Sequence, residues 1–160
     1  MKIEMINNNF FIIYLKKIII NSIDFNRREE LEDYFKNLFV KLKRIYNVDI
    51  KGYYNIKVFI DKYYGVVLEI KKEDVEYYSY FDNSVDMRIN CINEPFYYEL
   101  SDLYGIEKIL NKLNIYKSDN RLLVSIKEIL DDSEMSLLSE FSTLIYDNNT
   151  INSNLISIDK

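Results

Sequence analysis

Six groups of residues in this 160-residue chain have types and spacing that could do chemistry. Asp61 followed by Glu69-Ile70-Lys71 is a nuclease-like pattern, an acid plus Glu-x-Lys that can hold a divalent cation. If residues 56–60 and 66–70 pair as a hairpin, Asp61 sits at the turn and Glu69 beside Lys57. At about 3.3 Å per strand residue this leaves the two carboxylates about 10 Å apart, too far to share a Mg²⁺ whose ligands lie at about 2.1 Å. A charged strand end is the better reading. Asp86, Arg88 and Asn90 alternate with Val85, Met87, Ile89 and Cys91. That places a polar strip on one face of a strand, as the solvent side of a one-sided sheet would have. Cys91 falls on the apolar side and is expected to be a small buried hydrophobe rather than a nucleophile.

The tyrosines form a fourth group. It comprises Tyr53-Tyr54, Tyr63-Tyr64, Tyr77-Tyr78, Tyr80 and Tyr97-Tyr98. Neighbours on a strand point to opposite faces, so a pair that lies on a strand sends one ring away from the core. Exposed tyrosines are typical of protein interfaces. Tyr53, Tyr63, Tyr78, Tyr80 and Tyr97, together with Asp86 and Arg88, are therefore the candidate partner surface. The fifth group, Lys36, Lys41, Lys43 and Arg44, reads as a solvated helix face, with Glu32 four residues before Lys36 as a counter-charge. The sixth, Asp131-Asp132-Ser133-Glu134, reads as a helix start. The three glycines are too scattered for a phosphate loop.

The elements that must position these residues follow from patterning. Lys2–Ile6 and Phe10–Leu15 read as strands about an Asn7-Asn8-Asn9 turn, with Ile18–Ile20 as an extension. Leu31, Tyr34, Phe35, Leu38, Phe39, Leu42, Ile45 and Tyr46 keep helical spacing, so a helix is predicted over about 27–46. Asn26 is its expected N-cap, in a box with Glu29. Strands 56–60 and 66–70 flank an Asp61–Gly65 loop, followed by a charged turn at Lys71–Asp74. Val75–Phe81 and Val85–Ile92 read as a second hairpin around Asp82-Asn83-Ser84, and Phe96–Leu100, after Pro95, reads as an edge strand. A helix capped by Ser101 is expected over 101–113, and a hairpin over 115–126. A helix capped by Ser133 and carrying Leu137 to Ile145 follows, and a strand lies within 151–158.

Composition bounds the class. Ile, Asn, Lys and Tyr make up 73 residues, all with AT-only codons, while Ala is absent. That points to an AT-rich genome such as a low-GC bacterium's. No His rules out imidazole bases, Ser-His-Asp and Cys-His sets, and His-ligated metals. One Cys rules out an intrachain disulfide and a multi-cysteine zinc site. A net charge of −5 disfavours nucleic acid. No run approaches the roughly 20 apolar residues of a membrane span, and no signal-peptide pattern opens the chain. A cytoplasmic location is the expectation.

Two stretches resemble a family. Met1-Lys2-Ile3-Glu4-Met5-Ile6-Asn7 with Phe10-Phe11-Ile12-Ile13-Tyr14 resembles the opening of MecA-type adaptors, which deliver substrates to Clp-family unfoldases. Residues 101–158 are similar in element order to that family's C-terminal domain. They include Ile115-Tyr116-Lys117, Arg121-Leu122-Leu123-Val124 and the helix with Leu137-Leu138-Ser139-Glu140-Phe141. The chain departs from the family in lacking its acidic linker, in having Ser142 where Gly is common, and throughout 47–100. The resemblance implies an unfoldase as partner and assigns no residue a role.

The expected fold class is α+β, an antiparallel sheet of hairpins covered by two to three amphipathic helices in one domain, with a weak subdivision near residue 100. The expected core includes Leu31, Phe35, Leu38, Phe39, Leu42, Val58, Ile60, Val66, Leu68, Ile89, Ile109, Leu110, Val124, Leu138 and Phe141. The expected function is a protein–protein interaction module, an adaptor or regulator without catalytic activity and without a cofactor. Its partner would be another protein or a second copy of the chain. The alternative is a small carboxylate-based metal-dependent enzyme using Asp86, Glu69 or Asp82.

Overall fold

A computed structural model of the chain describes residues 1–16, 24, 26–47, 52–73, 85–151 and 155–158. The fold is α+β, with two five-stranded, largely antiparallel sheets among the described residues. The chain clusters into two compact units, Met1–Ile60 with Gly65–Ile92, and Asp61–Tyr64 with Asn93–Lys160. No helix among the described residues is long and apolar enough to cross a membrane.

The first unit holds β1 (Lys2–Asn7), β2 (Phe10–Lys16), α1 (Arg28–Tyr46), β3 (Gly52–Asp61), β4 (Gly65–Glu73) and β5 (Val85–Asn93). Its sheet order is β1-β2-β4-β3-β5. β1 and β2 turn back on each other at Asn8-Asn9, where the Asn7 side chain accepts from the Asn9 N–H at 2.8 Å. Alternation sends Phe11, Ile13 and Leu15 of β2, Tyr54, Ile56 and Val58 of β3, and Val66, Leu68 and Ile70 of β4 into one core. α1 contributes Leu31, Phe35, Leu38, Phe39 and Leu42 to the same core, and Phe39 stacks on Tyr54 at 4.6 Å.

Several sequence expectations are corrected here. α1 has Arg27, not Asn26, at its N-cap, and no side chain caps it. The turn before it is made by Asp24, which accepts from the Asn26 N–H through its carboxylate and from the Arg27 N–H through its carbonyl. Glu32 pairs back to Arg28 at 2.8 Å, not forward to Lys36. Ile45 and Tyr46 are exposed, outside the core that Leu31, Phe35, Leu38, Phe39 and Leu42 join. Lys71–Glu73 is no turn but the end of β4, with Lys71 opposite Phe10. The expected extension at 18–20 and the strand at 75–81 lie outside the described residues.

The second unit holds β6 (Tyr97–Leu100), a 3₁₀ helix (Glu107–Lys112), β7 (Leu113–Ser118), β8 (Arg121–Ile126), α2 (Asp132–Phe141), β9 (Ser142–Ile145), a 3₁₀ turn (Asn148–Thr150) and β10 (Ile156–Ser157). The sheet order is β10-β7-β8-β6-β9. β7 and β8 close over Asp119-Asn120, with Asp119 in the left-handed region that Asp tolerates. Tyr98, Leu100, Ile106, Ile109, Leu113, Val124, Ile126 and Leu138 form the core.

Here too the expectations need correction. β6 is interior, paired with β8 on one side and β9 on the other, and is not an edge. No α-helix runs over 101–113. Gly105 at φ +97° breaks it, and only the 3₁₀ helix forms. Ser101 is no cap; its hydroxyl donates to the Phe141 carbonyl at 2.9 Å. Asp131, not Ser133, caps α2, in a full capping box with Glu134. Leu144 and Ile145 leave the helix and pair, in β9, with Tyr98 and Tyr97. Every described residue of the expected core packs in one of the two cores.

Candidate functional site

Three segments of the first unit line an open groove of about 990 Å³. It takes Asn7, Asn8, Asn9 and Phe10 from the β1–β2 turn, Asn55 and Lys57 from β3, and Glu69, Lys71, Lys72 and Glu73 from β4. The β2–β4 register brings them together. Phe10 lies opposite Lys71 and Ile12 opposite Glu69, on the face alternate to the residues that meet α1. The Lys72 N–H donates to the Asn9 carbonyl at 2.7 Å and ties the turn to β4.

The groove carries both signs of charge. Lys57 Nζ and Glu69 Oε2 are 3.9 Å apart, and the Asn55 amide donates to Glu73 Oε1 at 3.5 Å. Three ammonium groups, two carboxylates, four side-chain amides and one aromatic ring line it. Such groups are hydrogen-bond donors and acceptors, most of them charged. They include no thiol, hydroxyl or imidazole, so the lining holds no nucleophile–base set of that type. Among the described residues no three His, Cys, Asp or Glu side chains come close enough to hold a metal ion.

Of the residues singled out in the sequence, Glu69 and Lys71 line the groove, and the candidate partner surface falls elsewhere. Tyr53 is half-buried on β3 and Arg88 is exposed on β5. Asp86 lies on the β5 backbone, and Tyr78 and Tyr80 lie outside the described residues, as does Asp82. Tyr63 and Tyr97 belong to the second unit. Tyr63 is no free surface ring, since its hydroxyl donates to the Lys127 carbonyl at 2.6 Å. Tyr97 sits edge-on to Tyr116 at 5.5 Å, and burial, then the neighbouring Tyr116 and Glu94, push its phenol up. Among the described residues, the buried members of the pairs are Tyr54 and Tyr98. Burial, with Asp61 and Tyr64 adding to it, holds the Tyr98 hydroxyl far above the ordinary phenol range.

Asp61 does structural work. One carboxylate oxygen accepts from the Tyr63 and Tyr64 N–H groups, and the other from the Phe96 N–H. Cys91 is exposed, against expectation. The apolar cover reaches Met87 and Ile89 on β5 and stops there. Enough of the chain still surrounds the sulfur to push its thiol up by desolvation, the reverse of activation.

Sequence reading missed the groove because Asn7–Asn9 and Lys71–Glu73 read as two separate turns. Extending the β4 alternation through Lys71 and Glu73 would have put those two and Glu69 on one face. No protein-family model matches the chain. No curated protein matches it, and no solved structure does.

Proposed function

We propose that the chain is a protein–protein interaction module, an adaptor or regulator that binds through the groove and performs no chemistry there. The observation that supports this is the groove's makeup, an open polar trough over a sheet face lined by lysines, glutamates, asparagines and Phe10. An extended protein segment carrying both charges matches that lining by electrostatic complementarity. The resemblance of 1–14 and 101–158 to MecA-type adaptors makes a Clp-type unfoldase the first partner to offer.

The test is capture by the immobilised full chain. Wild type and a Lys57→Glu/Lys71→Glu/Lys72→Glu variant, matched by circular dichroism, are offered a purified Clp-type unfoldase with ATP, and separately a low-GC bacterial lysate. Retention by wild type and loss by the variant supports the reading. Failure to retain the purified unfoldase removes the adaptor assignment. Equal retention from lysate by both proteins removes the groove as the contact.

A further inference from the structure

Among the described residues β1 ends the first sheet's strand order, paired on one side with β2. A sheet edge of this kind presents backbone N–H and C=O groups to any strand that can lie beside it. The side chains of β1 say which strand fits. On the face away from α1, Lys2 and Glu4 stand two residues apart, with Lys2 Nζ 2.6 Å from Glu4 Oε1 and the Tyr14 hydroxyl donating to Glu4 Oε2 at 3.1 Å. On the other face Ile3 packs against the core, flanked by Met1 and Met5, which are 58% and 48% exposed.

A second copy of β1 meets these constraints in one register. Two antiparallel copies about a two-fold axis normal to the sheet must oppose residues of the same face, so facing positions differ by an even number. Centring on residue 2 sets Lys2 against Lys2. Centring on residue 4 sets Glu4 against Glu4. Centring on Ile3 sets each Lys2 against Glu4 of the second copy, and each exposed Met1 against Met5. The register shift between Met5 and Asn7 bends the strand just beyond that stretch. We propose that the chain self-associates through β1, antiparallel and centred on Ile3, joining two first-unit sheets edge to edge. Opposite charges across strands favour the pairing and like charges oppose it. The paired stretch is short, so the dimer is weak and depends on concentration and salt.

Sedimentation velocity on the full chain over a concentration series tests this. Wild type is expected to shift from monomer to dimer, with weaker association in high salt. Lys2→Glu sets Glu against Glu, and Glu4→Lys sets Lys against Lys, so each alone raises the dissociation constant by about tenfold or more. Mixing the two variants restores opposite charges at both pairs, and the mixture associates as wild type does. The double charge swap likewise restores the homodimer. A wild type monomeric throughout the series overturns the proposal. So does either single variant associating undiminished, or a mixture that stays monomeric while both variants keep the wild-type circular dichroism spectrum. Because purified chain alone is used, failure here leaves the groove reading standing, and the converse holds.

Discussion

The carboxylate of Asp61 accepts a hydrogen bond from the Phe96 N–H at 3.0 Å, across 35 residues of chain. Its other oxygen holds the Tyr63 and Tyr64 N–H groups at 2.8 and 2.6 Å. One side chain thus satisfies three backbone donors of the second unit, beside a Phe96 that is 1% exposed and stacked obliquely on Tyr64. Asp61→Ala is expected to leave those donors without this acceptor, at a cost of about 1–3 kcal/mol. Thermal unfolding followed by circular dichroism should fall by several degrees, at roughly 2–4 °C per kcal/mol for a chain of this size. Asp61→Asn keeps one acceptor oxygen but turns an NH₂ on one of the donors, so its midpoint should lie between the two. An alanine variant as stable as wild type would show that water replaces the carboxylate at no cost.

Gly105 and Phe141 make a second checkable pair. A Cβ at residue 105 would stand 2.7–2.9 Å from three atoms of the Phe141 ring, and Gly105 has φ +97°. Gly105→Ala meets two separate penalties. The left-handed backbone costs an L-residue about 1–2 kcal/mol, and the crowding of the ring about 1–3 kcal/mol. Phe141→Leu in the same chain should relieve the crowding and leave the backbone penalty. A double-mutant cycle in denaturant is expected to give a favourable coupling between the two sites. Strict additivity would mean that the ring swings clear by itself.

How much could be read in advance follows the range of the interactions. α1 was legible because its five buried residues keep helical spacing within one segment. The β3–β4 and β7–β8 hairpins were legible because their turns are local. Two of the failures trace to distant partners, and the caps were lost to close neighbours. β6 looked like an edge because Val124 and Leu144, which flank Tyr98, are 26 and 46 residues away. Leu144 and Ile145 keep helical spacing with Leu137 and Phe141, yet strand pairing claims them. Asn26 lost the cap to Asp24's own turn. The groove was the least legible feature. Its β1–β2 turn meets β3 and β4 only through the β2–β4 pairing, across some sixty residues of chain, and codon bias masks any signal in its asparagines and lysines.

Lys112 and Glu134 close the second unit's helix start and set its response to pH. Lys112 Nζ lies 2.7 and 2.8 Å from the two Glu134 oxygens, and one of these also accepts from the Asp131 N–H at 2.9 Å. The side chains are 29% and 21% exposed. The Lys112 hydrogen bond, followed by that of the Asp131 backbone, holds the Glu134 carboxyl below its ordinary value of 4.5. The Glu134 hydrogen bond in turn raises Lys112 above its ordinary 10.5. For Glu134 the folded value lies below the unfolded one. Its contribution to stability is therefore complete above 4.5 and is lost as pH falls through the depressed folded value. For Lys112 the sign reverses: its contribution is complete below 10.5 and is lost as pH rises through the raised folded value. Between these limits the pair stabilises at a constant level. Glu134→Gln cannot ionise and keeps only part of the capping box. The gap in melting temperature between wild type and this variant is expected to stay flat from about pH 5 to about pH 9 and to narrow below 4.5. Calorimetry across that range reads it directly. A gap that persists unchanged into acid would mean that the glutamate acts through packing and its neutral hydrogen bonds rather than through its charge.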